Sequence, residues 1–318
     1  SLLEPALARG EAKSADRGAS ANVLNICSVP LLLTRLKREL DAINDGRWIV
    51  VKYLGGCAPS SPTANDGKSA VVLATDSRLG QIAIKAVPVG DDRTRQRFVR
   101  EMAFLQRVAH TNIVRCLADP FASADGTLMF GVLEMLPGGS LRTIREGDEA
   151  GRLGEEYVVQ LAVDVLRGLA HSHDQGVVHK DLKCDNIMSG GEGFKIVDFG
   201  IAHMDQAHRM AVSNTMLTQT TRRISAIGTP HYMSPEQYRN QTISFPTDIW
   251  SIGVVMYRNL VGRFPFGDGA ASLAEITVEV LTKEVDDRIP DASPDISRII
   301  CKALQKDPAQ RYASANAM

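Results

Sequence analysis

The chain has 318 residues, 44% of them hydrophobic and 23% charged, with a formal net charge of −1. That balance describes a soluble globular protein with a real core, and nothing global draws it to nucleic acid or to a membrane surface. Five cysteines (Cys27, Cys57, Cys116, Cys184, Cys301) are scattered without a C-x-x-C pair, which speaks against a zinc site or disulfide framework and fits a reducing cytoplasmic or nuclear setting.

The chain opens on Ser1, and residues 1–21 lack the apolar run of a secretory signal. The longest apolar stretches, such as 252–257, are too short to span a membrane. Both ends read as cut, so a piece of a longer protein, or an incompletely read gene, is expected. Residues 1–46 read as an extension that is flexible first and then helical. Apolar residues at 32, 33, 36, 40 and 43 give helical spacing, for a helix packed on the domain or for a docking or membrane-surface helix. From Trp48 the pattern changes. Segments 49–54, 70–74, 81–87 and 128–133 are short and β-branched, separated by Gly, Pro, Ser and Asp, and read as antiparallel strands. Residues 95–108 read as a helix with Phe98, Met102, Leu105 and Val108 on one side. Pro137-Gly-Gly139 marks a break, after which helices at 155–173 and 247–260 dominate, and the final residues 311–318 read as part of an amphipathic helix. The fold class is therefore α+β in two lobes, a small β-rich lobe over 47–136 and a larger helical one over 137–318, with a hinge near 134–139.

The chemistry concentrates in His179-Lys-Asp-Leu-Lys-Cys-Asp-Asn186 and in Asp198-Phe-Gly200, whose aspartates lie 17 positions apart across the strand-like 194–197. Here the chain resembles the protein kinase family, whose catalytic loop reads H-R-D-L-x-x-x-N and whose metal-binding turn reads D-F-G. The resemblance runs from Trp48 to Tyr312 and implies the two-lobed kinase fold, with ATP and Mg²⁺ as cofactors. Phosphoryl transfer needs a positioned hydroxyl and cations at the phosphate oxygens, with little covalent help. Asp181 can accept the hydroxyl proton, and Asn186 and Asp198 offer the hard oxygens that suit Mg²⁺.

Other family positions follow in order. Ile82-Ala-Ile-Lys85 matches the strand whose lysine contacts the α- and β-phosphates, and Glu101, 16 positions on, would pair with Lys85. Ser234-Pro-Glu236 stands for A-P-E, with Glu236 expected on Arg311, and Asp248 would brace the catalytic loop. By resemblance adenine would lie between Val71 and Ala83 above and Met188 below. Leu133 would be the gatekeeper, and Glu134 and Met135 would give hinge backbone hydrogen bonds. The glycine-rich loop departs from the pattern: Gly55 and Gly56 open it, about eight extra residues precede Gly67, and Ser69 holds the third glycine position. Glycine lets backbone approach phosphate, so weaker nucleotide binding or a looser loop is expected. A Walker motif at Gly67-Lys-Ser69 is rejected because Pro62 stands where its first glycine belongs.

Lys183, two residues after Asp181, matches the serine/threonine branch, as does Thr229 within Gly228-Thr-Pro-His-Tyr-Met-Ser-Pro-Glu236. The resemblance implies a protein substrate phosphorylated on Ser or Thr. Ile201 implies a preference for Thr. Ser225 takes the place of an activating phosphosite, filled by an upstream kinase or by autophosphorylation, although Lys180 replaces the arginine that would dock it bidentately. Within the family the chain looks most like MAP-kinase-kinase-kinase-like or NIMA-related kinases. The rival reading is a pseudokinase scaffold that binds nucleotide and partners without turnover, favoured by the irregular glycine loop and Lys180 alone.

Overall fold

The computed structural model describes residues 34, 36–40, 47–56, 69–149, 151–199 and 230–318. Gly67, Gly200, Ile201, Ser225 and Thr229 lie outside these, so the expectations placed on them are not addressed by the structure.

Five strands form one antiparallel sheet in the order β1-β2-β3-β5-β4: β1 Trp48–Gly56, β2 Ala70–Asp76, β3 Gly80–Pro88, β4 Phe121–Ala122 and β5 Leu128–Glu134. Side chains alternate across a strand, and here both faces are buried. Val72, Ile82, Ile84, Phe130 and Val132 point to one face, where they pack with Leu36 and Leu40. Ala83, Met129 and Leu133 point to the other, toward helix α1, Asp92–Arg107. The outer face is thus closed by the helical residues 36–40, whose two leucines stand four apart and are both 0% exposed. Of the two readings of the amphipathic N-terminal segment, the structure shows the packed one for these residues.

Lys85 shares the inner face with Ala83 and pairs in register with Val71 on one side and Gly131 on the other. Gly131 has a packing role. A Cβ there would come within 2.3 Å of Met102 Sδ, so its absence lets α1 approach the sheet directly behind Lys85. Asp91 caps α1 by accepting the Thr94 N–H at 2.7 Å. After α1 the chain is tied to the other lobe: Asn112 Nδ2 donates to Phe194 O at 2.9 Å, and Ile196 N donates to Asn112 O at 2.9 Å.

The second lobe holds α2 Leu141–Glu146, α3 Glu155–Asp174, α4 Pro235–Tyr238, α5 Phe245–Val261, α6 Leu273–Thr282 and α7 Pro294–Ala303, with a two-stranded ribbon β6 Ile187–Ser189 and β7 Phe194–Ile196. Helix α5 is buried almost all round, as its apolar sequence requires. A Ser244–Thr247 capping box starts it, and Gly262 stops it in the left-handed region at φ 81°. The expected amphipathic helix at 311–318 is not formed. Asp307 and Ser314 instead cap two short 3₁₀ turns, Pro308–Gln310 and Ala315–Ala317, because Asp and Ser side chains compete for the backbone N–H groups a helix would use.

If residues 36–40 belong to the core, Leu40→Ala removes a fully buried side chain and should cost about 2–5 kcal/mol. Urea unfolding of the two chains measures this. A loss below about 0.5 kcal/mol, the range of surface substitutions, would show that the segment does not pack there.

Candidate active site

Strand β3 delivers Lys85 into a nearly dry cleft, 6% exposed. Its Nζ lies 2.8 Å from Glu101 Oε1 on α1 and 2.7 Å from Asp198 Oδ1. Burial alone would lower the Lys85 pKa, but the two carboxylates outweigh it and hold the ammonium charged. Burial also pushes Asp198 up, and the Lys85 charge more than offsets this, leaving it below the usual carboxylate range. Glu101 goes the other way: its burial outweighs the same lysine and raises it.

Asp198 sits in the left-handed region at φ 56°, a costly place for a non-glycine residue. Its neighbour holds it there. Phe199 is 1% exposed, with ring centroids 5.0 Å from Phe104 of α1 and 4.9 Å from His179. One aromatic anchor therefore couples the Asp198 turn, the helix bearing Glu101 and the loop bearing Asp181.

That loop hangs from Asp248 of α5, a fully buried carboxylate that accepts N–H bonds from His179 (2.8 Å) and Lys180 (2.9 Å), with His173 Nε2 at 2.8 Å. Lys180 is also left-handed, at φ 69°. His179 Nε2 faces Val197 O at 3.1 Å and so donates, while Nδ1 accepts from Asp181 N at 3.3 Å, which fixes the neutral Nε2–H tautomer. Lys183 Nζ approaches Asp181 Oδ2 to 2.7 Å. Asn186 Nδ2 donates to Asp181 O at 2.8 Å and to Oδ2 at 3.3 Å, and the backbone bond from Val197 N to Asn186 O (2.9 Å) joins the two functional loops. With its amide nitrogen committed, Asn186 keeps Oδ1 as an acceptor. Asp198 Oδ2 makes no hydrogen bond among the described residues, and this side chain is 44% exposed. Two hard oxygens thus remain for a cation, a donor set that fits Mg²⁺.

The structure therefore brings Lys85, Glu101 and Asp198 into direct contact, and Asp181, Lys183 and Asn186 into a second contacting group. Around them, Ala83 pairs with Leu133 in register, both buried, and Val71 and Met188 are half-buried against the same core. Met135 is likewise half-buried, and Gly55 and Gly56 end β1 opposite Val71 and Ala70. The hinge expectation for Glu134 is narrowed. Its N–H already goes to Arg115 O at 3.0 Å and its carboxylate to Lys195 at 2.7 Å, so its amide is not available to a nucleotide. Sequence reasoning missed His173 and the Phe199–Phe104 contact. It also missed Gln237, whose Nε2 donates to Lys180 O at 2.8 Å. None carries a local signal, since each acts on a residue far away in sequence. Below the site, Arg311 grips Glu236 with two 2.8 Å bonds, both side chains at most 1% exposed, and Thr247 Oγ1 adds a third at 2.8 Å.

A lysine held between two carboxylates, beside an aspartate–lysine–asparagine loop in a cleft between a β-rich and a helical lobe, defines a phosphotransferase of the protein kinase class. Comparison agrees: the protein kinase domain family matches residues 66–318, and the chain belongs to it. Among curated relatives it is 35% identical over 240 residues to the serine/threonine-protein kinase pkn3 of Myxococcus xanthus, covering 72% of this chain and 42% of that protein. It is 34% identical over 259 residues to PknB of Mycobacterium leprae (79% and 40%) and 30% identical over 279 residues to PrkC of Bacillus subtilis (86% and 39%). The chain spans about two fifths of the length of these relatives. All three are bacterial, so the expected likeness to MAP-kinase-kinase-kinase-like or NIMA-related kinases is not supported, nor is a nuclear setting. The motifs behind that expectation are features of the family at large. No helix among the described residues is long and apolar enough to cross a membrane.

The Glu236–Arg311 clamp has a pH signature. Burial raises the Glu236 pKa, but the Arg311 hydrogen bonds and charge outweigh it, so the folded value lies below the unfolded one. The native state then binds fewer protons, and the contribution to stability is complete above the unfolded carboxyl pKa of about 4.3 and lost as pH falls through the folded value. Glu236→Gln should flatten the acid limb of the stability–pH curve below about pH 4.3. An unchanged limb in urea titrations would refute the clamp.

Proposed function

We propose that this chain transfers the γ-phosphoryl group of ATP to serine or threonine hydroxyls of a protein substrate; its bacterial relatives are named serine/threonine-protein kinases. The observation that carries this reading is the joint assembly of Lys85–Glu101–Asp198 and Asp181–Lys183–Asn186. In this reading Lys85 orients the α- and β-phosphates, and its two carboxylates keep it charged and in place. Asn186 and Asp198 would hold Mg²⁺, which neutralises charge on the phosphate oxygens. Asp181 positions the acceptor hydroxyl and takes its proton. Lys183, 2.7 Å from Asp181, neutralises the transferring phosphoryl group.

Val71, Ala83, Leu133, Met135 and Met188 form the adenine slot in this reading, with Gly55, Gly56 and Gly67 beside the phosphates. Thr is the preferred acceptor, and phosphorylation at Ser225, by another kinase or by the chain itself, activates. Signalling is the role these features suit. A pseudokinase scaffold is disfavoured, because such a protein has no need of a buried, doubly paired Lys85 beside an ordered Asp181 loop.

The test is transfer of labelled phosphate from ATP to a generic basic protein. Asp198→Asn should lower transfer by about 10²-fold or more, as removal of one preorganised charge does elsewhere, while thermal unfolding confirms that it folds. Equal activity of the two chains would defeat the reading.

A further inference from the structure

A candidate base is placed by the backbone that carries it, and here that backbone is strained. Asp181 follows Lys180, a non-glycine residue in the left-handed region at φ 69°. Such a conformation persists only where its surroundings over-determine it. On the N-terminal side of Lys180 the peptide is held from inside the helical lobe, where Asp248 Oδ1 accepts the Lys180 N–H at 2.9 Å. The next peptide joins Lys180 to Asp181 and has two polar ends. Its N–H goes to His179 Nδ1 at 3.3 Å, a long bond. Its carbonyl, Lys180 O, accepts from Gln237 Nε2 at 2.8 Å. The shorter of the two bonds therefore comes from α4, 57 positions along the chain.

The partners of the Gln237 amide fix which way round it sits. Oε1 accepts from the Ser234 N–H at 2.9 Å and from the Ser234 hydroxyl at 3.2 Å, while Nε2 faces the Lys180 carbonyl. The opposite orientation would set donor against donor at Ser234 N and acceptor against acceptor at Lys180 O. An amide, donor and acceptor at once, serves both ends. Its base is firm: Ser234 is 0% exposed, and the neighbouring Glu236 is gripped by Arg311 at 2.8 Å. Gln237 thus carries the position of an anchored segment across to the peptide that leads into Asp181.

We propose that Gln237 is a positioning residue for phosphoryl transfer: through its bond to Lys180 O it sets the peptide that carries Asp181, and so where Asp181 meets the acceptor hydroxyl. Gln237 touches no reacting atom itself. Asp181 Oδ2 lies 2.7 Å from Lys183 Nζ and 3.3 Å from Asn186 Nδ2, so a turn of its peptide shifts the carboxylate against both. A misplacement of about 1 Å at a reacting group costs about 10²-fold in rate. The inference rests on the kinase reading above and adds to it a residue outside the two contacting groups of the site.

The experiment compares the unaltered chain with Gln237→Glu and Gln237→Met, using labelled ATP and a generic basic protein, with thermal unfolding read alongside. Gln237→Glu keeps oxygens for the Ser234 donors and loses the donor to Lys180 O. Its kcat should fall about 10- to 100-fold at about pH 8, while KM for ATP stays within about twofold, because nucleotide binding is untouched. A half-buried carboxyl facing a carbonyl titrates above its ordinary value, and once protonated its O–H donates again. The ratio of variant to unaltered kcat should therefore climb as pH falls from about 8 to about 5.5. Gln237→Met, with no strong donor or acceptor, should lose kcat with a ratio flat across that range. One folded variant is enough for the comparison of kcat with KM. A kcat retained in either variant overturns the inference, and so does a flat ratio for Gln237→Glu. Loss of cooperative unfolding in both variants also overturns it, because the amide then braces the fold and not the peptide at Asp181. An unaltered chain that transfers no phosphate brings down the kinase reading instead, and this inference with it.

Discussion

The site depends on one buried ammonium group. Lys85 has lost nearly all its water, and only the two carboxylates at 2.8 and 2.7 Å make its charge tolerable. Each comes from a different structural unit, Glu101 from α1 and Asp198 from the turn after β7. The lysine therefore acts as a gauge of whether helix, sheet and turn are in place together. Breaking a buried pair by removing one partner leaves an uncompensated charge and costs about 3–5 kcal/mol. The closed arrangement is held by that penalty as much as by the attraction itself.

The rest of the fold serves this convergence. Gly131 removes the side chain that would keep α1 from the sheet, and Phe199 locks the Asp198 turn against the same helix. Asp248 fixes the loop bearing Asp181 from inside the helical lobe, and Glu236–Arg311 anchors the segment beneath it. Residues 36–40 close the outer face of the sheet with two leucines one helical turn apart.

Much of this was legible in the sequence, for identifiable reasons. The strands announced themselves by β-branched runs between turn residues, and α5 by an apolar stretch too long for a strand. The Asp181 loop and the Asp198 turn were legible because they resemble two motifs of one family, whose residue types suit phosphoryl transfer. What was not legible acts at a distance. Nothing around His173 or Gln237 tells that they meet Asp248 and Lys180. The 311–318 segment misled because its apolar spacing suggested a helix, whereas Asp307 and Ser314 divert the backbone into 3₁₀ turns. Subfamily was misread for a related reason: the motifs used for it are held by the common chemistry.

The most direct test of the central claim is a double-mutant cycle on Lys85 and Asp198, read as kcat/KM for phosphoryl transfer from ATP. If the two groups work as one unit, Lys85→Met and Asp198→Asn should each remove most of the activity, and the double variant should fall within about threefold of the worse single one. Losses that multiply independently would show that the ammonium and the carboxylate act separately, and would contradict this account.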